Sequence, residues 1–241
     1  MATVMWGAEM AAVYDQTAAE MYEPAVLDPV LDVLAELAGG GAALELAIGT
    51  GRVALPLRAR GVAVSGIELS PHMVERLRAK PGGADLPVTI GDMTSAQVEG
   101  PFDLVYLVFN TIMNVTTQDE QVAVFANAAA HLRPGGCFVV EVAVPELRDR
   151  IYEMGPDHVD IDTIDDPVGQ ITSSHHWWSL DGRLAHHSAP YRYVWPAELD
   201  LMARLAGLRR RARWADWHGA PFTADSPSHV SVYEWATPTS R

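Results

Sequence analysis

Short continuous apolar runs alternate along this chain with stretches in which apolar residues recur every three or four positions. The runs are Leu44–Ile48, Val62–Ile67, Val88–Ile90, Leu104–Phe109 and Cys137–Val144. Apolar on both faces and bounded by Gly, Pro or Ser, they predict buried strands of a parallel sheet covered on both sides. The intervening stretches predict helices. Residues 9–38 read as one or two, with Asp28 as an N-cap, Pro29 at the first helical position, and Val30, Leu31, Val33, Leu34 and Leu37 at helical spacing. Gly39-Gly40-Gly41 ends that segment. Arg52–Arg60 predicts a helix closed by Gly61, with Pro56 near its first turn, and Ser70-Pro71 opens another carrying Met73, Val74 and Leu77 on one face. Thr117-Gln118-Asp119-Glu120 is a capping box for a helix running to about Ala130.

The character changes after Pro145. Residues 146–169, rich in Asp with Gly and Pro, predict a loop or mobile lid. Ile171–Trp178 and Arg183–Trp195 predict two strands, joined by Leu180-Asp181-Gly182 as a hairpin turn. Pro196-Ala197-Glu198-Leu199 opens a helix that stops at Gly207, and Leu208–Trp214 with His229–Ala236 predict an antiparallel closing pair. The whole predicts one α/β domain over residues 1–241, a doubly wound, Rossmann-like, seven-stranded and mostly parallel sheet. Residues 1–40 would be an N-terminal helical lid and 41–145 a cofactor-binding core. Residues 146–195 would be a loop and β-hairpin insertion on the acceptor side, and 196–241 a closing helix with antiparallel strands.

The chemistry concentrates where the first run breaks. In Leu44-Glu45-Leu46-Ala47-Ile48-Gly49-Thr50-Gly51-Arg52 a strand passes through a Gly-x-Gly turn into a helix. Glycines there allow a sharp turn and close backbone approach to a ligand, and such a unit places a nucleotide-like cofactor across the strand ends. Gly49–Ala54 also satisfies the looser dinucleotide fingerprint, and Glu68, ending the second run, suits the ribose of either NAD or S-adenosylmethionine. The neighbours separate the two. Glu45 lies inside the strand, Gly91-Asp92-Met93 follows the third run, Phe102-Asp103-Leu104-Val105 begins the fourth, and Leu132-Arg133-Pro134-Gly135-Gly136 precedes the fifth.

In this order and spacing, over about residues 40–145, the chain resembles the class I S-adenosylmethionine-dependent methyltransferases of small-molecule type. The resemblance implies S-adenosylmethionine as cofactor and S-adenosylhomocysteine as product. It implies contacts from Glu45, Ala47, Gly49, Thr50, Gly51, Arg52, Glu68, Leu69, Gly91, Asp92, Met93 and Asn110. Within that set Glu68 would hold the ribose hydroxyls, Asp92 the adenine amino group with the backbone of Met93 helping, and Glu45 would brace the turn or reach the cofactor amine through water. S-adenosylmethionine has no pyrophosphate, which fits a turn whose single cation is Arg52. Tyr14-Asp15 resembles a cofactor-covering lid; an amphipathic helix packed on the sheet is the plainer reading.

For the acceptor the residues say less. Asn110, just past the fourth strand, is a candidate catalytic or methionyl-binding group as well as a turn asparagine. His175-His176-Trp177-Trp178, His186-His187 and Tyr191-Arg192-Tyr193 lie on the predicted hairpin. Alternation puts His176 and Trp178 on one face, where His176 is a candidate proton acceptor. Tyr14, Tyr22, Asn114, Trp178 and Arg192 are the candidate substrate-binding residues, with a structural salt bridge the alternative for Arg192. Metal binding has no support: the histidine pairs are adjacent rather than at helical spacing, and no cysteine joins them.

At 241 residues, 49% hydrophobic and 20% charged, the composition is that of a globular protein. No apolar run approaches the roughly 18 to 20 residues of a membrane span, and no signal-peptide pattern is seen. The single cysteine, Cys137, excludes an internal disulfide and reads as a small buried hydrophobe. A net charge of −14 argues against a nucleic-acid acceptor, and the run Arg209-Arg210-Arg211 with Arg213 reads as a solvated strand edge. The expectation is a cytoplasmic monomer or homodimer that methylates an N or O atom of a small molecule, as in specialised metabolism. A peptide N-terminal amine is the first alternative acceptor. An NAD(P)-dependent oxidoreductase is a second reading, weakened because Lys80 is the lone lysine and no Tyr-x-x-x-Lys pair occurs. A non-catalytic, cofactor- or partner-binding methyltransferase-like protein is the third.

Overall fold

The computed structural model describes residues 6–155, 158–180 and 183–236. Helix α1 (Ala8–Thr17), a 3₁₀ turn (Ala19–Tyr22) and α2 (Pro24–Ala38) precede the alternating core. That core runs β1 (Ala42–Leu46), α3 (Ala54–Ala59), β2 (Ala63–Glu68), α4 (Pro71–Ala79), β3 (Val88–Ile90) and β4 (Phe102–Leu107). A 3₁₀ turn (Thr111–Asn114), α5 (Gln118–His131) and β5 (Leu132–Ala143) follow. Strands β6 (Arg150–Met154), β7 (His158–Asp166), β8 (Ile171–Leu180) and β9 (Arg183–Arg192) come next, then α6 (Pro196–Leu205), β10 (Leu208–Trp214) and β11 (Ser228–Trp235).

The main sheet has seven strands in the order β10-β11-β5-β4-β1-β2-β3. Strands β3, β2, β1, β4 and β5 are parallel, and β11 and β10 close the sheet antiparallel. Its strands read as continuous apolar runs because successive side chains enter two different cores. Ala43, Leu104, Tyr106, Cys137 and Val139 pack with α2 and α3 on one face. Leu44, Leu46, Val105, Phe138 and Val140 pack with α5 and α6 on the other. Cys137 is buried on the α2 and α3 face as a small hydrophobe, and burial pushes its thiol up to about 11. The capping box at Thr117 and Glu120 and the Ser70 cap of α4 form as the sequence predicts.

Three expectations change. Helix α2 begins at Pro24, so Asp28 is not its cap and Pro29 lies inside it. Pro24 takes the position where a missing N–H costs nothing, Leu27 gains burial, and Asp28 faces outward to pair with Arg60 at 2.6 Å. Helix α3 is shorter than 52–60, because the chain is still turning at Gly51, whose φ is +81°. The largest correction concerns residues 146–169. They form no lid loop but supply β6 and β7, so the expected hairpin is a four-stranded antiparallel sheet, β6-β7-β8-β9. The alternation His158-Val159-Asp160-Ile161-Asp162-Thr163-Ile164 is the period of a strand, and its Asp residues obscured that in the sequence. The expected turn at Asp181-Gly182 lies outside the described residues.

At the antiparallel edge, His229 of β11 is fully enclosed, held by Ser231 at 2.9 Å, with its Nε2 lacking a hydrogen-bond partner among the described residues. Burial, reinforced by Arg213 and Arg210 and opposed by Asp200, pushes its pKa down to about 3. The unfolded chain therefore binds a proton below pH 6.5 that the folded chain refuses, so this stabilisation is lost as pH falls from 6.5 toward 3. Urea unfolding should show about 2 kcal/mol lost from this residue between pH 7.5 and 5.0. In His229→Leu that slope should flatten.

Candidate active site

The site forms at the carboxyl ends of β1, β2, β3 and β4. Ala47, Gly49 and Gly51 all take left-handed backbone conformations, with φ of +53°, +56° and +81°. Gly49 is required by that conformation, since a Cβ there would meet only the end of Met73 at 3.7 Å. Gly51 answers to packing as well. A Cβ there would lie 3.0 Å from Leu55 and 3.2 Å from Leu77, so the turn is tight because α3 and α4 crowd it.

Two buried carboxylates brace the turn. Glu68 accepts the backbone N–H of Gly49 through Oε2 and that of Ser70 through Oε1, each at 2.8 Å. Burial raises its pKa, and these donors oppose the rise. Glu45 accepts the Tyr106 hydroxyl at 2.9 Å from the adjacent strand position. Burial pushes the Glu45 carboxyl up to about 8, against the pull of Tyr106 and Arg52. Its acidity is poised for a cation: one arriving beside it would favour the ionised form.

A narrow cleft opens between Tyr14, Glu45, Ala47, Gly49, Thr50, Arg52, Phe109 and Thr111. The sequence missed Phe109. It and Asn110 are both left-handed, with φ of +58° and +61°. They are fixed by β5: Glu141 accepts the Phe109 N–H at 2.8 Å, and the Asn110 side-chain oxygen accepts the Ala143 N–H at 2.7 Å. The Arg52 guanidinium lies 5.1 Å from the Phe109 ring centroid. Gly91 donates to the Glu68 carbonyl at 2.9 Å, and Asp92 accepts from the Thr94 amide and hydroxyl at 2.8 and 2.7 Å, placing Asp92 and Met93 past β3. Leu69 follows β2 directly.

The N-terminal helix is tied to the glycine turn by a polar knot. Asp15 accepts the Thr50 hydroxyl at 2.6 Å and the Tyr22 hydroxyl at 2.5 Å, and pairs with Lys80 at 2.6 Å. Burial alone would raise the Asp15 pKa; hydrogen bonds from Lys80, Thr50 and Tyr22 carry it below the usual value instead. Trp6 is anchored by Ser70, whose hydroxyl donates to its carbonyl at 2.5 Å, and its ring meets Tyr14 edge-on at 5.4 Å. Tyr22 is thus part of the knot rather than a surface offered to substrate.

The second sheet approaches the N-terminal segment at Trp6, whose ring lies 6.2 Å from His187. Burial, reinforced by Tyr14 and Asp162, pushes the Tyr191 hydroxyl up to about 12. Register puts Asp160, His176 and His187 abreast on one face, with Trp178 beyond them opposite His158. Arg192 goes elsewhere. It is buried and held by Gln121, by Gln170 at 2.9 Å and by Glu198 at 2.7 Å, on a groove with Thr117 and Gln118. It is a structural ion pair, because α5 and α6 close over the last residue of β9. Asn114 ends the 3₁₀ turn after the cleft.

The cleft fits S-adenosylmethionine in its donor set: carboxylates at the ends of β1 and β2, an Asp past β3, one lining cation in Arg52, and a turn tightened by packing rather than opened for a pyrophosphate. Asp15→Asn, which removes the charge partner of Lys80, should speed amide exchange across residues 8–22 by about ten-fold, from roughly 1.4 kcal/mol of lost closure, and leave the central strands protected. Hydrogen exchange read by mass spectrometry checks it.

The methyltransferase domain family matches residues 43–136. The chain is 34% identical to the solved structure of the CcbJ methyltransferase of Streptomyces caelestis, with a TM-score of 0.87, over 97% of this chain and 98% of that one. It is 28% identical to the cypemycin N-terminal methyltransferase of a Streptomyces species, over 92% of this chain and 98% of that protein. The fold is shared with S-adenosylmethionine-bound CalS10, an amino pentose methyltransferase of Micromonospora echinaspora, at 20% identity and a TM-score of 0.71, over 93% and 97% of the two chains. With these matches the oxidoreductase reading falls away: the chain belongs to the class I S-adenosylmethionine-dependent methyltransferases.

Proposed function

We propose that this enzyme is an N-methyltransferase, moving the methyl group of S-adenosylmethionine to the amine of a small molecule or short peptide. The observation that carries the reading is one face of the second sheet. Asp160 and His176 pair there across β7 and β8 at 2.9 Å, with Ser174 next along β8 and Tyr191 farther along the same face. A carboxylate and a tyrosine ring on one face suit an ammonium; an alcohol carries no such charge. Relatives named for a peptide N-terminus and for an amino pentose support the same acceptor class.

In this reading S-adenosylmethionine, when bound, supplies an electrophilic methyl on sulfur. Glu45 receives the cofactor's ammonium and Arg52 its carboxylate, while Ala47, Gly49, Thr50 and Gly51 form the wall of the turn. Glu68 reaches the ribose with the lone pairs left by Gly49 and Ser70, beside Leu69. Gly91, Asp92 and Met93 would take the adenine, and Asn110, whose side-chain oxygen is spent on the Ala143 N–H, would lie toward the methionyl end. Tyr14, Asn114 and Trp178 border the acceptor. Catalysis on this plan is mostly positioning and exclusion of water. A protein without turnover would leave the acceptor face idle, which makes it the lesser reading.

Calorimetry with S-adenosylhomocysteine should show micromolar binding, with NAD and NADP inert. Gly51→Val should weaken that binding at least about ten-fold, since its Cβ meets Leu55 and Leu77. Glu68→Ala should also weaken it, and His176→Ala should not. Turnover should then be followed as S-adenosylhomocysteine release from matched acceptors: trialanine against lactyl-dialanine, a 4-amino-4-deoxyglycoside against its parent glycoside, benzylamine against benzyl alcohol. Faster turnover of the alcohols in every pair would overturn the amine assignment.

A further inference from the structure

We infer that His176, oriented by Asp160, takes the proton an acceptor ammonium must lose before its nitrogen can attack, with the Ser174 hydroxyl as the link. The inference rests on the amine reading above and names a residue set for it. The His176 Nδ1 lies 2.9 Å from Asp160 Oδ1, and its Nε2 lies 3.2 Å from the Ser174 hydroxyl. A carboxylate on Nδ1 holds the hydrogen there and leaves Nε2 as the acceptor. Ser174 donates to Nε2, so its oxygen lone pairs are left for an N–H donor.

Strand register places the link. In the β8–β9 register His176 pairs with His187, Ser174 with Ala189 and Thr172 with Tyr191. Ser174 is therefore one step closer than His176 to Tyr191, and His187 beside them reaches Trp6, whose ring meets Tyr14 of the cleft at 5.4 Å. The face is covered in part: Ala189 is 1% exposed and His187 lies against Trp6, while the His176 side chain keeps 36% of its surface open. Around His176 stand Asp160, Asp162 and His158 from β7, and His187 and Tyr191 from β9. Tyr14 belongs to α1, and β6 sets Glu153 opposite Asp160 and Arg150 opposite Asp162 in register. His187 is ring-stacked on His176 at 6.4 Å, and burial, with His176 and His186, lowers its pKa.

The step balances as follows. An N–H proton passes to the Ser174 oxygen as the Ser174 hydroxyl proton passes to His176 Nε2, leaving a neutral amine and an imidazolium paired with Asp160. The freed nitrogen lone pair forms the N–C bond to the methyl group as the C–S bond breaks, its electron pair remaining on sulfur. The products are a methylated ammonium and a thioether, and His176 later returns its proton to solvent.

A peptide terminal amine has a pKa of about 7.7–8.0, so at pH 7 only about one molecule in ten is already neutral. That sets the test. His176→Gln and Asp160→Ala, with Ser174→Ala as a third variant, are assayed with whichever amine of the panel the wild type methylates fastest. Rates are compared from one pH unit below the amine's pKa to one unit above. The expected result is a deficit in kcat/KM of about ten-fold at the low end, closing to within about two-fold at the high end, where the amine is neutral. S-adenosylhomocysteine affinity should be unchanged in all three, which shows that they fold. A deficit equal at every pH, or no deficit, overturns the relay while leaving the amine assignment standing. If the wild type methylates none of the amines while binding S-adenosylhomocysteine, the amine assignment itself fails and the relay with it.

Discussion

The site depends on one carboxylate. Glu68 ends β2, is 4% exposed, and divides its two oxygens between the amides of Gly49 and Ser70. A buried carboxylate without donors would be costly; with two backbone N–H groups it becomes a charge-assisted staple. It holds the left-handed turn after β1 against the start of α4, whose N-cap is Ser70. Ser70 in turn anchors Trp6, and Trp6 meets both Tyr14 and His187. A single side chain thus orders the glycine turn and, through Ser70, the contacts of Trp6 with Tyr14 and His187.

The second constraint is the knot at Asp15. Thr50 belongs to the glycine turn, Tyr22 to the N-terminal segment and Lys80 to the end of α4, and Asp15 joins all three. The N-terminal segment is therefore fastened to the glycine turn itself. Charge makes this possible in a strongly acidic chain: the lone lysine sits against the carboxylate that needs it. Exposure of Lys80 and Asp15 is partial, so the pair is screened.

The cofactor half was legible because its signals are local. A strand, a glycine turn, an acid at the end of the next strand and a capped helix all appear within a few residues of one another, and packing on both faces of the sheet explains why the strands read as unbroken apolar runs. Even there local pattern misled at Pro29, since a proline can be a helix start or an accommodated interior residue, and Pro24 with Leu27 decided between them. The acceptor half was poorly legible because it is made of long-range pairings. Nothing near Asp160 in sequence says that it faces His176, and Arg192 looked available until α5 and α6 supplied Gln121 and Glu198. Phe109 escaped notice because its importance lies in a left-handed backbone held by Glu141, thirty-two residues away.

Strand parity then separates two sets of histidines that look alike in the sequence. His175 and His186 fall on the outer face of the second sheet, where Trp177 stacks on His186 at 4.7 Å and on His175 at 5.6 Å. Both nitrogens of His175 are taken, by Thr163 at 3.1 Å and Ser188 at 2.8 Å. This set stiffens the sheet. His176 and His187 fall on the inner face, where one has a carboxylate partner and the other an unsatisfied Nε2 among the described residues. A one-residue slip of β8 would exchange His175 with His176. It would bring a ring already spent on packing to the inner face and send the Asp160 partner outward. Register, rather than the presence of histidine, is what sets an imidazole beside a carboxylate on this face, and the stacking of Trp177 with His175 and His186 favours that register.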